Sequence, residues 1–180
     1  MRVIAIDGHD GTGKTTLSKG LAARVEALYI RPFGGAHGED MVRAWRAGRS
    51  AEVLRIGEYV LRATLHGAQD HSRVVLDRGW LTVATLVPRP LFEGTWRLWL
   101  PTALILCDEK IRRARLRERG RDDAGADAWP PEFLDAYRDR FELHPGPVIR
   151  TDTSGEEACL AALERAFDRV SDYDLPPPPR

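Results

Sequence analysis

A glycine-rich segment close to the start of the chain has the residue types and the spacing that bind a phosphate group. It reads Gly8-His9-Asp10-Gly11-Thr12-Gly13-Lys14-Thr15 and fits the pattern G-x-x-x-x-G-K-[ST] without a gap. Glycines suit such a loop because several backbone N–H groups must converge on phosphate oxygens where a Cβ atom would collide. We therefore predict an ATP site formed by Gly8, Gly11, Thr12, Gly13, Lys14, Thr15 and Thr16.

Two side chains of this segment have predicted chemical roles. Lys14 would bridge the β- and γ-phosphates as a catalytic residue, and the hydroxyl of Thr15 would ligate Mg²⁺. A dinucleotide-binding loop is excluded, because the pattern G-x-G-x-x-G requires glycine where this chain has Thr16. The segment thus predicts ATP and Mg²⁺ as cofactors.

An acid and an arginine, Asp77 and Arg78, follow a predicted buried strand. In a parallel α/β sheet, ligands bind beyond the carboxyl ends of the strands, so both residues should face the phosphate-binding segment. Asp77 could hold Mg²⁺ or its water, and Arg78 could hold an anionic acceptor with its forked guanidinium group. The alternative is a surface ion pair worth under ~1 kcal/mol. The presence of the phosphate-binding segment favours a site for Mg²⁺ and the acceptor over a surface ion pair.

A dense group of arginines occupies a later segment: Arg112, Arg113, Arg115, Arg117, Arg119 and Arg121. One interpretation is a helix with i, i+4 charge pairs, such as Glu109 with Arg113. The other is a mobile lid, at about 115–127, that closes arginines over the transferred phosphoryl group. We favour the lid, with Arg117 and Arg121 as catalytic residues. Binding of RNA is disfavoured because aromatic residues for base stacking are absent nearby.

Alternating apolar runs and amphipathic segments predict the elements that position these residues. We predict strands at 2–7, 29–30, 73–77, 102–107 and 147–150. A first helix is predicted from Lys14, with an apolar stripe that continues to Leu28. Further helices are predicted at 39–47, at 51–68, after Asp108, near 131–143 and from Glu156 to about Val170. One short helix is predicted between the third and fourth strands. This order predicts a doubly wound, three-layer α/β fold of the P-loop NTPase type with a five-stranded parallel sheet flanked by helices, and a small arginine-rich lid.

Length and composition limit the remaining possibilities. A chain of 180 residues predicts a single domain, at 1–171, followed by a Pro-rich and disordered tail at 172–180. The 27 basic and 27 acidic residues cancel, so no overall charge favours nucleic acid or a membrane as partner. Cys107 and Cys159 are expected to be reduced and buried. No apolar segment reaches the length of a membrane span, which predicts a soluble, cytoplasmic protein. Whether the chain forms a homodimer is open.

The sequence resembles the thymidylate kinases over most of its length. The segment from Ile6 to Thr16 is similar to the family's E-G-x-D-G-x-G-K-T-T, and Arg31 to Glu39 is similar to its Arg-Glu-Pro-Gly-Gly segment. Asp77-Arg78 resembles its Asp-Arg-aromatic motif, and Arg117 to Phe141 its basic lid and following helix. The phosphate-binding segment contains no arginine, as in the bacterial type of the family, whose lid supplies the catalytic arginine.

The resemblance implies a substrate and two binding roles. The substrate would be a small-molecule phosphoryl acceptor, a nucleoside monophosphate. Asp10 would accept a hydrogen bond from the 3′-hydroxyl of its sugar, and Arg78 would hold its phosphate. Deoxynucleoside kinases are similar but normally lack an acid at the position of Asp10, which favours the monophosphate.

Four departures from the family pattern leave the acceptor's base unassigned. Arg31-Pro32-Phe33-Gly34-Gly35 lacks the family's carboxylate, and Gly79 replaces an aromatic residue although Trp80 stands next to it. Thr82 stands where a serine is common, and Val87 where the family has a glutamine that reads a pyrimidine. Two other hypotheses therefore remain: a kinase of a nucleoside or another hydroxyl-bearing metabolite, and a nucleotide-binding switch without turnover.

Overall fold

The computed structural model describes residues 1–120 and 132–174. Five strands form one sheet in the order β2-β3-β1-β4-β5, and all neighbouring strands are parallel. The strands are β1 (Arg2–Asp7), β2 (Leu28–Ile30), β3 (Arg73–Asp77), β4 (Thr102–Leu106) and β5 (Val148–Arg150). The predicted five-stranded parallel sheet is confirmed.

The described residues also form eight helices. They are α1 (Lys14–Arg24), α2 (Ala36–Arg46), α3 (Ser50–Gly67), α4 (Trp80–Thr85), α5 (Arg89–Thr95), α6 (Glu109–Glu118), α7 (Glu132–Phe141) and α8 (Glu156–Asp168).

The side chains of the central strand β1 alternate between two hydrophobic clusters. Val3 and Ala5 belong to a cluster that includes residues of α2, α3, α4 and α7, while Ile4 and Ile6 belong to one that includes residues of α1 and α8. Because successive side chains of a strand point to opposite faces of the sheet, the two clusters lie on opposite faces. The sheet is therefore covered by helices on both faces, and the predicted three-layer α/β fold is confirmed.

The strand order brings the predicted site residues to one edge of the sheet. β1 lies between β3 and β4, and Ile6 of β1 is in register with Asp77 of β3. The phosphate-binding segment leaves the end of β1, and Arg78 follows the end of β3. Both segments therefore start at the same carboxyl edge, where ligands bind in parallel sheets.

Two predicted helix assignments were wrong. A single short helix was predicted between β3 and β4, but the structure has both α4 and α5 there. Pro88 is the N-cap of α5 and Pro90 lies in its first turn. The missing N–H of proline breaks no helical hydrogen bond at these positions. Leu28 belongs to β2 rather than to the stripe of α1, because α1 ends at Arg24 and Glu26 has a positive φ of 49°.

Other predictions fall partly outside the described residues. Cys107 and Cys159, by contrast, are described, and both are free and buried, as expected.

For the predicted tail, the backbone N–H of Tyr173 donates to the carbonyl oxygen of Met1 at 2.7 Å, whereas 175–180 lie outside the described residues. So do 121–127 of the predicted lid, with Arg121 among them. In the described part of the chain, no helix is both long and apolar enough to span a membrane.

Candidate active site

The phosphate-binding segment forms an open loop between β1 and α1. Gly13 has a φ of +94° and is the N-cap of α1, so the loop passes directly into the first turn of that helix. Gly11 has a φ of +83°, and a Cβ atom there would lie 2.9 Å from the backbone oxygen of Arg112. Glycine is therefore required at Gly11 for both its backbone angle and its space. The N–H groups of the first turn of α1 have no partner within the helix and would suit an anion.

Lys14 and Arg78 share one carboxylate, that of Asp10. The ammonium of Lys14 lies 3.0 Å from Oδ1 of Asp10, and Arg78 forms an ion pair with the same oxygen. Burial alone would raise the pKa of Asp10, but the charges of Lys14 and Arg78 outweigh it and hold that pKa well below its usual range. Asp10 is therefore an anion placed between the lysine predicted for ATP and the arginine predicted for the acceptor.

Thr15 and Asp77, the predicted magnesium ligands, are neighbours. The Thr15 hydroxyl donates to Oδ2 of Asp77 at 2.7 Å, and the phenol of Tyr29 donates to the same oxygen at 3.0 Å. Oδ1 of Asp77 is buried and has no hydrogen-bond partner among the described residues. A carboxylate oxygen with spare capacity beside a hydroxyl oxygen matches the hard, all-oxygen ligands that Mg²⁺ prefers. The pair fits the metal.

The largest of three adjoining clefts extends from the phosphate-binding loop toward α2. It has a volume of about 610 Å³. Four arginines line it, against two carboxylates, those of Asp10 and Glu39; the arginines are Arg31, Arg43, Arg46 and Arg78. Apolar side chains of Phe33, Met41 and Val42 line it as well. This cleft, which we call the acceptor cleft, is therefore lined by both positively charged and apolar side chains.

The other two clefts follow the phosphate-binding loop. One, of about 340 Å³, is lined by Gly11, Gly13, Lys14, Thr15 and Thr16, and shares Asp10 and Arg31 with the acceptor cleft. The next, of about 230 Å³, shares Gly13, Thr16 and Arg119 with it and continues to Arg115, Thr151, Ser154 and Cys159. The three clefts thus form one continuous groove with Asp10 and Arg31 between the two larger parts.

The arginines of α6 occupy several environments. Arg117 is exposed and lines none of the three clefts, whereas Arg119 lines two of them. Arg113 pairs with Glu109 at 2.8 Å, as the helix interpretation expects. Arg115 donates to Thr151, whose hydroxyl donates to the carbonyl oxygen of Thr12 in the phosphate-binding loop. Among the described arginines of this group, Arg119 is better placed than Arg117 to reach a bound phosphate.

Arg112 supports the phosphate-binding loop from α6 and lines none of the three clefts. Its guanidinium is buried, donates to the carbonyl oxygen of Asp10 at 3.1 Å, and lies 3.1 Å from Nδ1 of His9. Burial, together with the charge of Arg112, lowers the pKa of His9. The sequence grouped Arg112 with the lid arginines, but its contacts are those of a support for the loop.

Three site residues were missed or given another meaning by the sequence analysis. Asp7, Thr82 and Tyr137 form a buried polar group beside Arg78. Burial raises the pKa of Asp7, while hydrogen bonds from Thr82 and from the N–H of Gly79 oppose the rise. An acid at the end of the apolar strand β1 was a usable signal for Asp7. Tyr137 gave none, because α7 is distant in sequence.

Trp80, which stands next to the departure at Gly79, and Val87, itself a departure from the family pattern, lie in the core. Trp80 is fully buried and stacks with Phe92, with its indole N–H donating to the carbonyl oxygen of Leu100 at 3.0 Å. Val87 is buried in the same cluster. Neither residue lines the acceptor cleft. Neither is therefore placed to contact a base.

Several solved structures, kinases among them, are similar to this chain. A deoxyadenosine kinase from M. mycoides with bound dATP has a TM-score of 0.60 at 14% identity, covering 92% of this chain and 99% of that one. The YorR protein from Bacillus subtilis, in complex with phosphorylated GDP, has a TM-score of 0.58 at 16% identity, covering 92% and 95%. A sugar kinase from Janibacter sp. HTCC2649, without ligand, has a TM-score of 0.55 at 18% identity, covering 93% and 95%.

The sequence itself matches no family model and no curated protein. At identities this low, the structural likeness is evidence for the fold. The five-stranded, all-parallel α/β fold of this chain is therefore similar to the fold of these proteins.

Proposed function

We propose that the protein is an ATP-dependent kinase that transfers the γ-phosphoryl group of ATP to a nucleoside monophosphate, as thymidylate kinases do. The observation that carries the proposal is the continuous groove in which Asp10 and Arg31 border both the phosphate-binding loop and the arginine-lined acceptor cleft. Two phosphorylated substrates bound in these two parts would meet at Asp10. The fold shared with kinases is consistent with this reaction.

The donor would lie along the phosphate-binding loop. Backbone N–H groups of the loop, the first turn of α1 and Lys14 would hold the phosphates of ATP. The adjoining cleft at Arg115, Thr151 and Ser154 would receive the nucleoside part, because it continues from the same loop. Catalysis would then depend on positioning and on charge neutralisation rather than on a general base.

Mg²⁺ would be held by Asp77 and Thr15, whose oxygens fit it. When bound, the ion would neutralise phosphate charge. Tyr29 would keep the Asp77 carboxylate oriented through its hydrogen bond to Oδ2. Burial, with the charge of Asp77 adding to it, raises the pKa of Tyr29 to about 12, so this phenol stays protonated as a donor.

The charge of the acceptor cleft supports a phosphorylated acceptor. Arg43 is paired with Asp40, but Arg78 and Lys14 share the single carboxylate of Asp10, so at that point two cations face one anion. A monophosphate supplies the missing negative charge, whereas a neutral nucleoside does not. Phe33, Met41 and Val42 supply apolar surface for the nucleoside. Because such contacts separate close analogues by only ~1–3 kcal/mol, we expect loose discrimination between bases.

A second candidate, a nucleoside kinase, is favoured by one observation. Glu39 lines the acceptor cleft and is exposed, with no ion-pair partner among the described residues. A hydroxyl acceptor benefits from a general base, which contributes about 10²–10⁴-fold. In this reaction Glu39 would remove the proton of the hydroxyl.

One assay separates the two candidates. The protein is incubated with ATP, Mg²⁺ and a panel of nucleosides and their monophosphates, and the products are separated. We expect faster turnover of a monophosphate, with Arg78→Ala removing most of the affinity for it and Glu39→Gln having little effect. If nucleosides turn over faster and Glu39→Gln abolishes that activity, the nucleoside kinase is correct.

A further inference from the structure

A tyrosine of α7 lies against the arginine of the acceptor cleft. Tyr137 is buried, with 4% of its surface exposed, and its phenol oxygen accepts a hydrogen bond from Nη1 of Arg78 at 3.0 Å. The same oxygen lies 3.1 Å from the hydroxyl of Thr82 on α4. Tyr137 therefore joins α7 and α4 at the acceptor arginine.

The direction of each hydrogen bond in this group follows from the number of protons available. Asp7 accepts from the Thr82 hydroxyl at 2.5 Å and from the N–H of Gly79 at 2.7 Å. Thr82 has one hydroxyl proton, and Asp7 uses it, so Thr82 must accept from Tyr137. Tyr137 has one proton as well, which leaves its oxygen to accept from Arg78. A chain of hydrogen bonds, the hydrogen-bond chain, therefore runs from Arg78 to Tyr137, from Tyr137 to Thr82 and from Thr82 to Asp7.

Every donor in this chain faces an acceptor, and a positive charge lies at one end with an acid at the other. Burial raises the pKa of Tyr137 to about 12, so the phenol retains the proton that it donates to Thr82. Buried hydrogen bonds in series strengthen one another and fix the orientation of their members. The chain therefore limits the positions that the guanidinium of Arg78 can take.

The backbone of Arg78 also requires support. Its φ of +85° lies in the left-handed region, which a non-glycine residue adopts at a cost. Its N–H donates to the carbonyl oxygen of Ile6 at 3.1 Å, and the next N–H, that of Gly79, donates to Asp7. Asp7 thus supports the backbone of Arg78 directly and its side chain through Thr82 and Tyr137.

We propose that Tyr137 is a positioning residue that holds the guanidinium of Arg78 in the orientation that receives an acceptor's phosphate. Nη1 is occupied by Tyr137 and Thr82, and Nη2 faces Asp10. The orientation of the guanidinium plane in the acceptor cleft is set by these contacts. The importance of this orientation for substrate binding rests on the proposed function, whereas the holding of Arg78 does not.

The substitution Tyr137→Phe tests the proposal because it removes the phenol oxygen and keeps the buried ring. With the best monophosphate of the panel, we expect the KM for the acceptor to rise about tenfold, as for the loss of one hydrogen bond to a charged group. The KM for ATP should stay within about twofold, since Tyr137 does not line the ATP clefts. Thr82→Val should reproduce this pattern, and Thr82→Ser, which keeps the hydroxyl, should raise the KM for the acceptor less than Thr82→Val does.

A second measurement needs no substrate. The guanidinium signals of Arg78 are recorded by ¹⁵N NMR in the empty protein and assigned by their loss in Arg78→Lys. We expect faster rotation of the guanidinium in Tyr137→Phe than in the parent. We expect no change in Tyr59→Phe, whose ring is exposed and packs against His37.

The two measurements separate the possible failures. If no monophosphate is a substrate, the proposed function fails, but the NMR comparison still decides whether Tyr137 holds Arg78. If the rotation of the Arg78 guanidinium is unchanged in Tyr137→Phe, the positioning role is wrong. Equal increases in both KM values would also overturn it, because they would indicate a general structural effect.

Discussion

Asp7 and Asp10 are three residues apart, yet their surroundings change their acidity in opposite directions. Asp7 is enclosed at the end of β1, and burial raises its pKa. Asp10 contacts two cations, Lys14 and Arg78, which hold its pKa below the usual range in spite of burial. Nearby opposite charges favour the ionised carboxylate, whereas loss of water favours the neutral one. At the residue scale, Asp10 is therefore suited to charge pairing and Asp7 to structural hydrogen bonds.

Lys14→Ala should remove phosphoryl transfer and leave the fold intact. Removal of a preorganised charge from the transferred phosphate lowers turnover by about 10²–10³-fold. Asp10 keeps its ion pair with Arg78 in this variant, so the loop retains one of its two charge pairs. The measurements are kcat with the best acceptor and the far-ultraviolet circular dichroism spectrum. Lys110→Ala, at an exposed position of α6, is the control. A variant with turnover within about tenfold of the parent would contradict the role of Lys14.

At the scale of elements, α6 shows how closely spaced arginines are accommodated. Glu109 accepts hydrogen bonds from Arg112 at 2.7 and 2.9 Å and from Arg113 at 2.8 Å. Asp108 caps the helix by accepting from the N–H of Lys110. The helix interpretation of the sequence therefore accounts for the first half of the group. Among the described arginines of the group, Arg115 and Arg119 line the groove.

The hydrogen bonds from Arg112, and then from Arg113, lower the pKa of Glu109 to about 2, against an ordinary value of 4.5. Because the folded pKa is the lower one, the ionised pair stabilises the protein above the ordinary value, and this contribution is lost as the pH falls from about 4.5 toward 2. We expect the difference in unfolding free energy between the parent and Glu109→Gln to be constant near neutral pH and to shrink in that acidic window. Denaturant titrations at several pH values measure it.

The control for this prediction is on the same helix. Glu118 is exposed and has no ion-pair partner among the described residues. Glu118→Gln should therefore show no such shrinking difference. A Glu109→Gln variant whose stability follows the parent at every pH would mean that the pair with Arg112 and Arg113 contributes nothing to folding.

At the scale of the whole molecule, features formed by residues close together in the sequence could be predicted, and contacts between residues far apart in the sequence could not. The phosphate-binding loop, β1 and β3 were predicted because each is a contiguous signal, and the alternation of strands with helices predicted the sheet. Tyr137 contacts Arg78 across 59 positions and Thr151 contacts Thr12 across 139, so no local pattern shows either pair. The placement of Arg119 rather than Arg117 at the groove depends on where α6 packs, which spacing alone does not give.

The two larger clefts of the groove meet at one side chain. Asp10 lies in both of the larger clefts, and its carboxylate neutralises one cation from each, Lys14 and Arg78. Bound phosphates would take over these cations. The charge balance of the empty protein and that of the loaded protein therefore depend on the same site.

Asp10→Ala should destabilise the empty protein and make it more dependent on ligands. The change leaves Lys14 and Arg78 buried without their shared carboxylate, which typically costs about 3 kcal/mol. For a chain of this length the loss corresponds to a fall in Tm of about 6–12 °C. Since burial already lowers the pKa of Lys14, the loss of stability should shrink as the pH rises and this ammonium loses its proton.

ATP with a monophosphate should raise the Tm of the variant more than that of the parent, because phosphates replace the missing carboxylate. Differential scanning calorimetry with and without ligands measures both effects, and Asp40→Ala, which breaks an exposed ion pair with Arg43, should change the Tm by little. If Asp10→Ala is as stable as the parent when empty, Asp10 does not balance the two cations, and the coupling of the two clefts through its charge is wrong.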